Sequence, residues 1–160
     1  MGIPSRVRDF LNSENVSYEE LRHDPAYTGQ EVAHTLHLSG KKCAKTVVLD
    51  CDGKLAMAVV PASFHVDLDL LRTAAGAQTV EIATEQEFKD AFPDCETGAM
   101  PPFGNLYAMA VYADTSFGEN EEITFNAGTH RELMRMTWAD MVRLVNPRVV
   151  NLTHRAVVAA

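Results

Sequence analysis

The stretch AKTVVLDCDGKLAMAVVP, Ala44–Pro61, decides how the chain is organised. Two runs of β-branched and aliphatic residues flank Asp52-Gly53, the kind of pair that accepts positive φ at the centre of a two-residue turn. The spacing predicts a long antiparallel hairpin. Everything else in the sequence is read as what surrounds it.

Ahead of the hairpin, residues 4–14 read as a helix: Pro4 suits a first turn, and Val7, Phe10 and Leu11 share one face. VSYEELRH (residues 16–23) reads as a short strand. TGQE, Thr28–Glu31, matches a capping box and opens a helix running to about Leu38, with a stop at Ser39-Gly40. Beyond the hairpin come a helix over 67–75, a short strand over 78–82 and a helix over 84–92. Three strands follow, NLYAMAVYAD, EEITFNAG and RELMRM, and then a helix, TWADMVRLV, stopped by Asn146-Pro147. Strands outnumber helices and are interleaved with them, and the hairpin signals point to antiparallel pairing. The expectation is a mixed α/β domain with a strongly curved sheet.

At 160 residues with no repeat, low-complexity tract or linker, the chain reads as one domain spanning 1–160. It is long enough to bury about 70% of its unfolded surface. No apolar run approaches the roughly 18 residues of a membrane span, and the first ten residues lack the apolar core of a secretion signal. Three widely spaced cysteines without a CxxC pair fit reduced thiols in a cytoplasmic protein.

A net charge of −8 argues against a general nucleic-acid binder. The charge is unevenly placed, however. Residues 129–155 hold Arg131, Arg135, Arg143, Arg148 and Arg155 against only Glu132 and Asp140, and KKCAK (residues 41–45) adds three lysines. Two such segments could hold one short piece of a polyanion if the fold brings them together.

In GAMPPFGN, Gly98–Asn105, two prolines and a phenylalanine stand between two glycines, with no acid, base or nucleophile. Pro101 and Pro102 exclude a helix interior or a central strand. The loop is stiff, apolar and poor in reactive side chains.

The reactive residues are scattered. Lys45 opens the apolar strand KTVVLDC; a lysine there is either functional or a solvated residue that blunts an edge. NAGTHR, Asn126–Arg131, joins two predicted strands, and His130 either points into a cleft or decorates a hairpin surface. His23, at a strand end before Asp24-Pro25, has the same two readings. His34 and His37 lie three apart on a predicted helix, but no acid or thiolate accompanies them at helical spacing, so no metal site is assigned. Cys51 and Cys95 lack a nearby base to activate them. No triad is visible, and no cofactor is called for.

The order of these motifs is nevertheless specific. HDP, TGQEVAHTL, CAKTVVL, GAMPPFG and FNAGTHRELMRM follow one another as in the YbaK/EbsC family, which includes the editing insertion of bacterial prolyl-tRNA synthetases and its free-standing relatives; the chain resembles that family from about Val16 to Asn151. The resemblance implies an α+β fold, a distorted and mostly antiparallel β-barrel or curved mixed sheet surrounded by helices. It implies a trans-editing deacylase that hydrolyses the ester of a mischarged tRNA carrying a small amino acid. The alternative is a catalytically silent module that holds a tRNA or a synthetase. Position by position, the resemblance implies catalytic roles for Lys45, Gly128 and His130. It implies substrate contacts from His23, Thr28, Gly98, Met100, Pro101, Pro102 and Asn126. The partners implied are the aminoacylated 3′ end of tRNA and, secondarily, an aminoacyl-tRNA synthetase.

Such a site needs little side-chain chemistry. An aminoacyl ester is already activated, so a positioned water and stabilisation of the developing oxyanion suffice. Backbone N–H groups from glycine turns, held by a rigid loop, are expected to supply the latter. Relatives vary at the proline loop with their substrate, so PPFG does not fix which small amino acid fits.

Overall fold

The computed structural model describes residues 2–22, 43–119 and 121–155. The predicted hairpin is its centre. β2 (Cys43–Cys51) and β3 (Lys54–Pro61) pair antiparallel from Ala44↔Pro61 to Cys51↔Lys54. Asp52 and Gly53 both have positive φ, 51° and 87°, as the two-residue turn requires. The Asp50 carboxylate accepts from the Gly53 amide at 2.7 Å. The Asp52 carboxylate accepts from the Gln78 and Thr79 amides. The turn is thus fastened to the next strand.

Around this hairpin the order of the main sheet is β1-β8-β7-β2-β3-β6-β9, where β1 is Glu19–Arg22, β6 Ala110–Asp114, β7 Glu122–Asn126, β8 Glu132–Thr137 and β9 Arg148–Val150. β5 (Val80–Ile82) pairs with the far end of β2. The pairings β1–β8, β8–β7, β2–β3 and β2–β5 are antiparallel. β2–β7, β3–β6 and β6–β9 are parallel. Among the described strands the sheet is mixed and open; of the two shapes expected, the closed barrel is not the one formed. A separate ribbon joins β4 (Phe64–Val66) to β10 (Thr153–Arg155).

Both faces of β2 and β3 are covered. Alternate residues Ala44, Val48, Met57 and Val59 enter the larger core with Phe103, Phe117 and Phe125. Leu49, Ala58 and Val60 point the other way, against Leu71 and Leu152. Leu71 comes from α2 (Leu68–Ala75), which starts where Asp67 accepts from the amides of Asp69 and Leu70 and stops at left-handed Gly76. Thr84 and Glu87 form a reciprocal capping box at the start of α3 (Glu85–Phe88). α4 (Trp138–Val145) is capped by Thr137 and ends at left-handed Asn146, before Pro147. α1 (Ser5–Ser13) buries Val7 and Leu11.

Two elements end or begin well away from expectation, and three short strands were not expected. The strand predicted over 105–114 is extended only from Ala110. Gly104–Leu106 is a 3₁₀ turn whose Gly104 carbonyl accepts from Tyr107 and Met109, and Ala108 is left-handed. The helix predicted to Phe92 ends at Phe88 and tightens to a 3₁₀ turn over Lys89–Ala91 ahead of Pro93, which disfavours helical geometry in the residue before it. β4, β9 and β10 carried no sequence signal. The helix predicted over 28–38 lies outside the described residues.

Candidate active site

β7 runs beside only the first residues of β2, with Cys43↔Thr124 and Ala44↔Phe125 in register. β5 takes the same edge of β2 only from Leu49 onward. Among the described residues, Lys45 therefore stands where the edge of β2 is unpaired between them. The β2–β7 ladder ends at Ala44↔Phe125, so Lys45 and Asn126, the last residue of β7, are the next residues of the two strands. Strand alternation puts both on the face opposite Ala44 and Phe125, which point into the larger core. Lys45 is half-buried, and among the described residues no carboxylate pairs with it. Burial holds its pKa below the ordinary lysine value. The Asn126 Oδ1 is buried without a hydrogen-bond partner. A buried unpaired acceptor costs about 1–3 kcal/mol, and among the described residues Glu132 Oε2 is another.

Immediately after Asn126 the chain turns through NAGTHR. Ala127 N–H donates to Glu132 O, closing the turn, and the Thr129 hydroxyl accepts from the amides of Arg131 and Glu132. The proline loop lies against this turn, and four hydrogen bonds join the two. Glu96 N–H donates to Gly128 O at 2.7 Å, and Gly128 N–H donates to Ala99 O at 2.8 Å. His130 N–H donates to the Glu96 carboxylate at 3.1 Å, and the His130 ring Nε2 lies 2.8 Å from Thr97 O. A carbonyl only accepts, so Nε2 carries the proton. This bond ties one loop to the other.

The glycines are explained by the same contacts. A Cβ on Gly98 would sit 3.3 Å from His130 Cε1, and φ is 86°. A Cβ on Gly128 would lie 2.5 Å from the Pro4 ring, at φ 95°. The expectation that their amides face a substrate meets a different geometry. Gly128 N–H goes to Ala99, and Gly98 N–H lies 3.2 Å from the Met100 sulfur. What these glycines supply is shape. Ala99, Met100, Pro101, Pro102 and Phe103 are buried. Phe103 meets Phe10 and Phe125 edge-on, at 6.3 Å and 5.4 Å between ring centroids. The prolines thus form a stiff apolar mass rooted in the core, with Gly98 at its exposed rim.

Arg135 pairs with Glu19 and Glu122, and Arg143 with Asp140. Arg148 lies on β9 at the opposite end of the sheet order from β1 and β8. Arg131 is exposed on the Gly–His turn, five residues after Asn126. The Cys95 and Cys43 thiols are each pushed up to about 11, chiefly by burial, so neither is a thiolate near neutral pH. His23, Thr28, His34, His37, Lys41 and Lys42 lie outside the described residues. Sequence reasoning missed Glu96, Thr97 and Thr129, whose roles depend on which loop faces them. Only Thr129 left a local trace, as a threonine able to cap its own turn.

A family model of the aminoacyl-tRNA editing domain matches residues 23–144, which carry Lys45, both loops and Asn126. The chain belongs to the aminoacyl-tRNA editing domain family. Among family relatives, the multifunctional Ser/Thr-tRNA deacylase ProXp-y of Escherichia coli (strain K12) is 26% identical over 156 residues, covering 94% of this chain and 93% of that protein. The proline–tRNA ligase of Bacillus mycoides (strain KBAB4) is 31% identical over 85 residues, 53% of this chain. The aligned region spans only 15% of that ligase. The editing-domain fold recurs in a crystal structure described as a candidate trans-editing enzyme for prolyl tRNA synthetase, with a TM-score of 0.80, 22% identity and coverage of 94% and 96%. No described helix is long and apolar enough to cross a membrane.

Proposed function

We propose that this chain hydrolyses the ester joining a wrong, small amino acid to the 3′ end of a tRNA, acting in trans on the released aminoacyl-tRNA. The observation that carries the reading is Lys45, a half-buried ammonium without a carboxylate partner among the described residues, one residue past the end of the β2–β7 pairing; the unpaired Asn126 Oδ1 ends β7, and the turn of the cross-linked loop pair follows it directly. Its membership of the editing family and its likeness to a protein named as a Ser/Thr-tRNA deacylase support the same reading.

Water adds to the ester carbonyl carbon, and the bond from that carbon to the terminal ribose oxygen breaks. Free amino acid and tRNA with a restored hydroxyl depart. Lys45 offsets the negative charge that develops on the carbonyl oxygen or lies on the adjoining phosphate, and its low-dielectric setting strengthens that interaction. Asn126 Oδ1 accepts from the α-ammonium of the amino acid. Met100, Pro101 and Pro102 wall the side-chain space and limit its size, and Gly98 admits the ester at the rim. Gly128 and His130 hold that wall in place. His23 and Thr28 complete the substrate contacts by resemblance. An aminoacyl-tRNA synthetase is the second partner, since the chain aligns with a segment of proline–tRNA ligases.

The test is a panel of tRNAs charged with alanine, serine, threonine, cysteine and proline, each assayed for release of its amino acid. At least one small residue should be released faster than in buffer. Folded protein that binds tRNA but releases none would make it a silent binding module. A hydrophobic pocket separates substrates by only about 1–3 kcal/mol per methylene, so graded preference among small residues is expected.

A further inference from the structure

The two loops rest on a part of the chain that lies ahead of the family-matched stretch. Pro4 packs under Gly128, within 2.5 Å of where a Cβ would stand. From the first turn of α1, Arg6 reaches both ends of the proline loop. Its Nε is 2.7 Å from the Asp94 carboxylate, at the start. At the end, its Nη1 donates to Leu106 O at 3.3 Å, and its guanidinium lies 4.7 Å from the centre of the Tyr107 ring. Tyr107 in turn donates to Asp94 at 3.1 Å, and its hydroxyl lies 3.4 Å from Cys95 Sγ. Arg6, Asp94 and Tyr107 thus close a ring across the base of the loop.

We infer that Arg6 is a positioning residue for the candidate active site, holding the proline loop, and through it the Gly–His turn, in place. The inference rests on the function proposed above for its catalytic consequence, and on geometry alone for its structural one. The planar guanidinium serves three acceptors or faces at once, which the point charge of a lysine cannot do. The Arg6 and Asp94 side chains keep 41% and 28% of their exposure, so the pair adds little to global stability. Loss of Arg6 should therefore be felt locally.

Arg8 supplies the control. It sits on the same helix and pairs with Glu20 at 2.9 Å, and among the described residues it makes no hydrogen bond or ion pair to either loop. The experiment compares Arg6→Ala, Arg6→Lys and Arg8→Ala in the full chain by two readouts. The first is hydrogen exchange at the Glu96 and Gly128 amides, which bridge the loops. The second is single-turnover deacylation of the aminoacyl-tRNA that the wild type hydrolyses, across substrate concentrations. Arg6→Ala should speed exchange at both amides and lower the saturating rate about tenfold, the scale of a small misplacement of reacting groups. The half-saturating concentration should stay within about twofold, and Tm should fall by no more than about 4 °C. Arg6→Lys should fall between Arg6→Ala and wild type, and it serves alone if Arg6→Ala fails to fold. Arg8→Ala should match wild type at both amides. Unchanged exchange, an unchanged saturating rate, or equal effects of Arg6→Ala and Arg8→Ala would overturn the inference. A wild type that hydrolyses nothing would sink the proposed function instead and leave the exchange readout to judge the brace.

Discussion

Gly128→Ala separates backbone strain from steric conflict at the point where the Gly–His turn meets the N-terminal segment. The residue sits at φ 95°, where a side chain costs roughly 1–2 kcal/mol. The new methyl would stand 2.5 Å and 2.8 Å from Pro4 Cδ and Cγ, too close for either to remain where it is. Overpacking of that kind costs about 1–3 kcal/mol. The total is about 2–5 kcal/mol, or a Tm about 4–20 °C lower for a chain of this size. Both clashing atoms disappear in Pro4→Ala. Urea denaturation of the two single mutants and the double mutant should therefore show a coupling of about 1–3 kcal/mol in favour of the double mutant, leaving only the strain. A Gly128→Ala protein within about 0.5 kcal/mol of wild type, or an equal cost in both backgrounds, would refute the packing argument.

Lys45→Met should lower the saturating deacylation rate by about tenfold or more while leaving stability at pH 7 unchanged or raised. Burial lowers the Lys45 pKa, so between that lowered value and the ordinary one the folded state binds fewer protons than the unfolded chain. The penalty is complete below the window and is relieved as pH rises through it; a variant that unfolds more readily at pH 7 contradicts this. His130→Gln keeps a donor of similar reach toward Thr97 O and should retain most activity, whereas His130→Ala should lose most of it. Equal loss in both would return His130 to proton transfer. The affinity for tRNA should fall shallowly with salt, by a log–log slope of about 0.7 per phosphate contacted, and Arg131→Ala should remove about one such contact. An unchanged slope would place the tRNA elsewhere.

Much of the local architecture was legible because its causes lie within a few residues. Asp52-Gly53 forms the turn that its φ preferences suggest. Thr84 with Glu87 caps a helix, and Asn146-Pro147 ends one. The strand over 105–114 was misjudged because apolar periodicity cannot register that the Gly104 carbonyl gathers the Tyr107 and Met109 amides into a tight turn. The parallel pairings were equally invisible. A hairpin announces itself by its turn, but a parallel neighbour is chosen by distant packing.

The sequence by itself determined the inventory of the candidate site: one lysine opening an apolar strand, one stiff proline loop, one glycine–histidine turn and an asparagine before it. Their order along the chain was enough to suggest the family. Only the tertiary structure decided how these parts face one another. The parallel pairing of β2 with β7 brings the strand ends that carry Lys45 and Asn126 together, the loops cross-link through Glu96, Thr97 and Gly128, and the glycine amides turn into the structure. The physical reason is range. Turns, caps and stops are settled by torsional preferences and hydrogen bonds within a few residues, whereas a site assembled from four segments exists only when burial of the shared core brings them together.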